Sequence, residues 1–343
     1  MTARGTSLVV QTSFLGDVIL TTPLLTELAR RGPVDVVVTK AAAPLLRGHP
    51  AVRDVIVFDK RGSDRGLAGI RRMARRMSRR DDGTPRGIEA AYFAQMSLRS
   101  ALLPWLARVP VRVGWAASKP GRLFYTTRIP YAREAHHAVR CWQLAFPDGA
   151  PEVSAMPAPT LVPGGDERAA VDALLAPTTD GRPLVALSPG SVWGTKRWPY
   201  FPELAALLAP LARVVVVGGP GEGELARAIV AAAPAGAVLD ATGRLSLLAS
   251  AELIRRARVL VTNDSSPLHM ASAVGTPTVA IFGPTVPAFG FGPLAQGSVV
   301  VEHQQMPCRP CHHHGPERCP LGHFKCMKEI GAARVMEEVV RRI

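Results

Sequence analysis

A carboxylate, two hydroxyls and an imidazole stand together in Asp264-Ser265-Ser266-Pro267-Leu268-His269, directly after the run Val259-Leu260-Val261-Thr262-Asn263. The pattern delivers them where a β-branched strand ends and a helix, Met270 to Val274, begins, which is where open α/β sheets bind ligands. An enzyme with a nucleotide-type ligand is the expectation.

Further strand ends carry similar chemistry. The first strand runs out in Thr12-Ser13-Phe14-Leu15-Gly16-Asp17 before the helical pattern Val18 to Arg31. Asp17 lies at or near that helix start, where the macrodipole favours the ionised form, so it is a candidate carboxylate base as well as an ordinary N-terminal helix residue. Ser188-Pro189-Gly190-Ser191 follows the apolar run Leu184 to Leu187, and Lys196-Arg197-Trp198-Pro199 comes just before the next helix. Small residues exposing backbone N–H groups, hydroxyls and a lysine make a phosphate clamp without being a Walker A loop. Val214 to Val217 opens into Gly218-Gly219-Pro220-Gly221-Glu222-Gly223-Glu224, where Glu222, in preference to Glu224, could accept from a ribose hydroxyl pair. The spacing is not G-x-G-x-x-G.

Two clusters lie outside these strand ends. Arg71, Arg72, Arg75, Arg76, Arg79 and Arg80 repeat at helical spacing with Met73 and Met77 between them, and Lys60, Arg61 and Arg65 extend the basic patch. Arginines without an interleaved acid repel one another, which favours an anion-binding face over a merely solvated one. Cys308-x2-Cys311-x7-Cys319-x6-Cys326 could close a structural tetrahedral zinc site, although only its first pair has C-x2-C spacing; reduced buried thiols and local disulfides are the alternatives. Four thiolates would leave no open position for catalysis.

The elements that position these residues are short β-branched runs alternating with helical patterns: Ser7 to Thr12, Val34 to Thr39 and Val55 to Phe58, then Leu184 to Leu187, Val214 to Val217, Val259 to Val261 and Thr278 to Phe282. This alternation predicts two parallel-sheet α/β domains, which suits 343 residues. Residues 1–165 form the first, 182–328 the second, and 329–343 a helix able to cross back to the first; a Pro-, Gly- and Ala-rich linker with one helical segment near Asp166 to Leu175 lies between. Arg213, Arg227 and the prolines interrupt every apolar stretch well short of the ~18 residues of a membrane span. The first apolar segment, cut by Gln11 and Asp17, reads as a strand and helix rather than a signal peptide, which places the protein in the cytoplasm. A net charge of +14 calls for an anionic partner.

In order along nearly the whole chain, Gly16-Asp17-Val18-Ile19-Leu20-Thr21-Thr22-Pro23, Ser97-Leu98-Arg99-Ser100, Arg112-Val113-Gly114, Ser188-Pro189-Gly190-Ser191 with Lys196-Arg197-Trp198-Pro199, and Asn263 to His269 with Gly283-Pro284-Thr285 resemble the bacterial lipopolysaccharide heptosyltransferases, glycosyltransferase family 9. The stretch Cys319-Pro320-Leu321-Gly322-His323 resembles the heptosyltransferase II branch more than the I branch. The resemblance implies the GT-B fold, two Rossmann-like domains facing an interdomain cleft, and an inverting transfer that requires no metal. It implies ADP-L-glycero-D-manno-heptose on the second domain and, on the first, a phosphorylated Kdo-lipid A or heptosylated inner-core acceptor. It assigns the base to Asp17 and phosphate contacts to Ser191 and Lys196. It assigns an adenosine contact to Glu222, and a donor signature to Asp264, Ser265, Ser266 and His269 beside Ser188 and Gly190. Glycine is common where this chain has Ser266.

With that assignment, Arg71, Arg72, Arg75, Arg76 and Arg99 become the acceptor side, holding acidic groups at the cytoplasmic face of the inner membrane, where the protein would be peripherally associated. Asp17 and Lys196, one in each domain, would face each other across the cleft, and a dipole-depressed Asp17 is tolerable if the acceptor proton leaves late. No D-x-D pair is present to hold a divalent ion, so Lys196, loop amides and helix dipoles must stabilise the leaving diphosphate. Two rivals remain: a GT-B enzyme using another nucleotide sugar for a different glycan, and a basic nucleic-acid-binding protein with a zinc module. The second leaves the polar strand ends without a task and lacks aromatic residues interleaving the basic run, so no nucleic-acid partner is expected.

Overall fold

The computed structural model describes residues 5–119, 121–176 and 181–343. The chain divides between Val162 and Pro163 into two compact units. The first contains β1 (Thr6–Gln11), α1 (Leu15–Leu20), α2 (Thr22–Ala29), β2 (Val34–Val38), β3 (Asp54–Val57), α3 (Gly66–Ser78), β4 (Ile88–Phe93), α4 (Leu98–Leu106), β5 (Val111–Trp115), β6 (Thr127–Ile129) and α5 (His137–Gln143). Its strands form one six-stranded sheet in the order β3-β2-β1-β4-β5-β6, every pair parallel.

The second unit contains α6 (Gly165–Leu175), β7 (Leu184–Ser188), α7 (Phe201–Leu208), β8 (Arg213–Val216), α8 (Gly223–Ala232), β9 (Val238–Asp240), α9 (Leu247–Arg256), β10 (Val259–Asn263), α10 (Ser266–Val274), β11 (Thr278–Phe282), β12 (Val299–Glu302), α11 (Lys325–Lys328) and α12 (Ala332–Val340). Its sheet runs β12-β11-β10-β7-β8-β9, again wholly parallel. Counted within each unit, both sheets have the doubly wound order 3-2-1-4-5-6, reversing direction between β1 and β4 and between β7 and β10. β1, β2, β7, β10 and β11 are buried throughout because helices cover both faces, and so they read as continuous apolar runs.

Three features differ from the sequence expectation. The helix after β1 is broken: Thr21 Oγ1 donates to the Asp17 carbonyl at 2.7 Å and Thr22 Oγ1 to that of Ile19 at 2.7 Å, while Pro23 lacks the N–H that a continuous helix would need. The helix α6, expected in the linker, belongs to the second unit and packs on α9, where Arg256 pairs with Asp172. The last helix, expected to be able to cross back to the first domain, packs on α7, with Val335 and Val339 in the same core as Val185 and Phe201. Among the described residues no helix is long and apolar enough to cross a membrane.

Candidate active site

In the first unit the switch point between β1 and β4 is held by buried amides. Gln11 Nε2 donates to the Ala94 carbonyl at 2.7 Å, and Gln95 Oε1 accepts from the Thr12 amide at 3.1 Å and from Ser13 Oγ at 2.7 Å. Gln95 Nε2 in turn donates to Thr12 Oγ1 at 2.8 Å and to Ser100 Oγ. Neither glutamine stood out in the sequence, since a buried amide leaves no spacing signal. The network fixes the loop that presents Asp17.

The Asp17 carboxylate accepts the Phe14 N–H at 3.2 Å through Oδ2, while Oδ1 lies 3.6 Å from Nε2 of His137 on α5. Burial, opposed by the Phe14 hydrogen bond and the Arg140 charge, pushes its pKa up to about 6. The expected dipole-depressed carboxyl is therefore reversed, because α1 is only a six-residue helix and desolvation outweighs its field. Such a carboxylate is a stronger base than an exposed one and is still largely ionised at neutral pH. His137, Arg140 and Cys141, which surround it from α5, escaped the sequence reading; burial drives the Cys141 thiol up to about 12.

The arginine repeat is a helix only as far as Ser78; Arg79 caps it and Arg80 lies beyond. It is not free of acids either. Arg72 and Arg76 approach the buried Asp64 at 3.3 and 3.7 Å, and Arg76 also donates to the Val57 carbonyl. Arg71, Arg75 and Arg79 line an open groove of about 530 Å³ with Leu106 of α4. Arg99 is exposed in the first turn of α4 and its charge reaches Lys60, whose Nζ donates to the Thr12 carbonyl at 2.8 Å.

In the second unit the switch point between β7 and β10 gathers several expected residues. Lys196 Nζ lies 2.6 Å from Asp264 Oδ2, with both side chains 11% exposed, and Thr285 Oγ1 donates to the same oxygen at 2.7 Å. Asn263 ties the two loops: its Nδ2 donates to the Pro189 carbonyl at 2.7 Å and its Oδ1 accepts the Trp198 N–H at 3.1 Å. Ser188 ends β7 and is buried, and Ser191 Oγ accepts the Trp193 N–H at 3.3 Å. Ser265 caps α10, and Ser266 and Pro267 form its first turn. His269 is buried in that helix with its ring 6.1 Å from Phe291.

The Glu222 carboxylate accepts the Gly219 N–H at 2.9 Å and lies so close to Gly190 that a Cβ there would stand 1.6 Å from Oε1. Burial raises its pKa, against the Gly219 hydrogen bond and the Arg197 charge. Glu224 is exposed on α8. The bare backbone of Gly190 thus adjoins a carboxylate suited to paired hydroxyls.

Cys308, Cys311, Cys319 and Cys326 lie near one another without closing into a ligand set, the charges of the first three all acting on the Cys326 thiol. Among the described residues no three His, Cys, Asp or Glu side chains are grouped to hold a metal ion, and all five thiols are free. Cys326 sits in the second unit's hydrophobic core with Met327 and Ile330, where burial pushes its thiol up to about 11. Cys311 Sγ donates to the Cys308 carbonyl at 3.1 Å, and Cys308 Sγ lies 3.9 Å from His323 Nε2.

Two doubly wound units with polar clusters at their switch points define a GT-B-like glycosyltransferase. Residues 86–320 match glycosyltransferase family 9 (heptosyltransferase). The chain is 32% identical over 326 residues to lipopolysaccharide heptosyltransferase 1 of Pseudomonas aeruginosa, covering 89% of this chain and 85% of that protein. It is 28% identical over 302 residues to lipopolysaccharide heptosyltransferase 2 of Salmonella typhimurium, covering 82% and 84%. The structure of E. coli ADP-heptose lipopolysaccharide heptosyltransferase II matches it with a TM-score of 0.79 at 24% identity over 98% of both chains. The chain belongs to glycosyltransferase family 9. Relatives from both heptosyltransferase branches match, so likeness to the II branch alone is not what the comparison returns.

Two outcomes follow from the geometry. A carboxyl that titrates near 6 folded and near 3.8 unfolded binds its proton more tightly in the native state, so stability falls as pH rises through that window, by about 3 kcal/mol in full. Asp17→Asn should therefore melt higher than the parent above pH 6 and match it below pH 4, as thermal melts across pH will read. Lys196→Ala leaves Asp264 buried without its cation, facing any incoming phosphate; ADP affinity measured by calorimetry should drop at least tenfold, a loss of roughly 1.4 kcal/mol or more.

Proposed function

We propose that this chain is an inverting, metal-independent transferase that moves L-glycero-D-manno-heptose from ADP-heptose to the lipopolysaccharide inner core. The observation that carries the reading is the Lys196–Asp264–Thr285 cluster, a cation fixed where a diphosphate would gather charge. Glu222 and the open backbone of Gly190 suit the ribose, and the loop from Ser188 to Ser191 with the first turn of α10, Ser265 and Ser266, suits the phosphates. The similarity to proteins named for lipopolysaccharide and ADP-heptose supports the same donor and acceptor classes here.

In the reaction an acceptor hydroxyl oxygen bonds to the anomeric carbon as the bond from that carbon to the diphosphate oxygen breaks. The hydroxyl proton passes to Asp17, and ADP leaves with the electron pair. Inversion follows from attack on the face opposite the leaving group. A pKa near 6 serves this step well: Asp17 is ionised at neutral pH and holds a proton more firmly than an exposed carboxyl. Lys196 supplies the fixed positive charge that a divalent ion provides in other transferases. The acidic groups of a phosphorylated Kdo-lipid A or heptosylated acceptor meet Arg71 and Arg75 in the α3–α4 groove and Arg99 on the Lys60 side, with the protein held peripherally at the cytoplasmic face of the inner membrane.

Incubation with ADP-heptose and two defined acceptors, one ending in Kdo and one already bearing a heptose, should release ADP with one of them, in the presence of EDTA and with inverted anomeric configuration. Release of UDP or GDP from the corresponding sugars, with no ADP from ADP-heptose, would replace the donor assignment. In the same assay Asp17→Asn should bind ADP-heptose like the parent and lose at least a hundredfold in kcat, the scale of general base catalysis; near-parental turnover removes Asp17 from that role. The double variant Arg71→Ala, Arg75→Ala should raise the acceptor KM about tenfold with the donor KM unchanged, reflecting two lost charge-assisted contacts.

A further inference from the structure

The excursion between β12 and α11, which carries Cys308, Cys311 and Cys319, has a use that its cysteines do not reveal. Its root is fastened by Arg309, which donates to the Thr285 carbonyl at 2.9 Å and pairs with Glu302 at 2.7 Å. Its middle is folded onto the loops that carry Lys196. The Cys311 N–H donates to the Pro284 carbonyl at 3.0 Å, the Thr195 N–H to that of Pro316 at 3.3 Å, and the Gly194 N–H to Glu317 Oε2 at 3.1 Å. Gly315, at φ +81°, lies against Lys196 itself, its Cβ position 3.2 Å from the lysine Cγ, a close approach and a backbone conformation that both favour glycine. Directly before it, His314 stacks on Trp193 with ring centroids 6.2 Å apart and planes 16° from parallel.

We infer that His314 is a further ligand for the donor diphosphate, carried over the Lys196–Asp264 pair by this excursion. The inference rests on the donor site proposed above. Burial and the charges of Lys196, His312 and His313 lower the pKa of the imidazole, against the pull of Asp264, so the ring is neutral in the ligand-free protein at neutral pH. A diphosphate reverses that balance: two negative charges beside the ring favour its protonated form, and the proton comes from solvent as the ligand binds. A stacked partner and a fixed backbone hold the ring ready, while its exposure leaves it able to reach an incoming anion. The positive charge needed at the leaving group would then come from a lysine and from a histidine that gains its charge only when the diphosphate arrives.

Calorimetry of ADP-heptose binding in buffers of different ionisation enthalpy reads that proton directly, because the diphosphate diester itself does not titrate near neutrality. Between pH 6 and 8 the parent should take up a fraction of one proton per donor bound, and its affinity should strengthen as pH falls. His314→Gln should lose the uptake, flatten the pH dependence and bind about tenfold more weakly at pH 6, the worth of one charge-assisted hydrogen bond. His313→Gln should keep the uptake. Equal affinity and equal uptake in parent and His314→Gln overturn the inference, as does uptake lost in His313→Gln and kept in His314→Gln. A parent that fails to bind ADP-heptose at all instead removes the donor assignment on which the inference rests, so the two failures are distinct. Unchanged melting temperatures in both variants will show that the fold is intact.

Discussion

The ion pair between Lys196 and Asp264 sets the terms for the second unit. Two opposite charges with side chains 11% exposed have given up most of their hydration, and their attraction returns that loss only if geometry is good and the remaining lone pairs are filled. Thr285 fills one from the loop after β11, so β7, β10 and β11 must end in register for the pair to exist. Asn263 locks the β7 and β10 loops together, and Trp198, which Asn263 holds by its backbone, donates its indole N–H to the Ile330 carbonyl at 2.8 Å. A line of hydrogen bonds thus runs from the reactive cluster to the segment before α12. A buried pair of this kind contributes little net stability; its use is to fix a cation in one place.

The first unit solves the opposite problem with the same topology. Asp17 is also buried at a switch point, but its neighbours compensate it only weakly: one backbone N–H, an imidazole at 3.6 Å and the more distant Arg140 charge. Desolvation therefore wins, and the carboxyl becomes proton-avid. The Lys196 cation is held by a carboxylate, which a hydroxyl holds in turn. The Asp17 carboxyl has weaker partners, and burial leaves it holding a proton more firmly. The same degree of burial serves both ends because the partners differ.

What was legible in the sequence is what a short window contains. The runs that became β1, β2, β7, β10 and β11 are apolar because they are covered on both faces, and their polar ends were visible beside them. The short edge strands β6 and β9 carry no such run, whereas β12 has a brief one in Val299 to Val301. The pKa of Asp17 was misjudged because its burial comes partly from α5, far along the chain, while the helix-start rule saw only its own element. Arginine spacing gave α3 but not Asp64, the acid that ties Arg72 and Arg76 down from outside the helix. Cysteine spacing suggested a cluster, and the four thiols do come near one another in the fold. Spacing could not report that Cys326 belongs to a helix committed to the core.

The sequence contains no repeat, yet both units place their chemistry by one rule. After the first strand of each comes a glycine-bearing segment, Gly16 and Asp17 in the first turn of α1 in one and Gly190 with Ser191 in the loop after β7 in the other; after the fourth strand of each comes a polar turn opening a helix, with Gln95 and Arg99 in one and Asp264 and Ser265 in the other. The order 3-2-1-4-5-6 requires these loops to leave in opposite directions from neighbouring strands, which opens a crevice at the carboxyl edge whatever the residues are. Side-chain identity is then free to differ, since the backbone arrangement alone creates the space. That freedom explains how a carboxylate, Asp17, and a lysine, Lys196, can follow the equivalent first strands of two units that share a topology and no recognisable sequence.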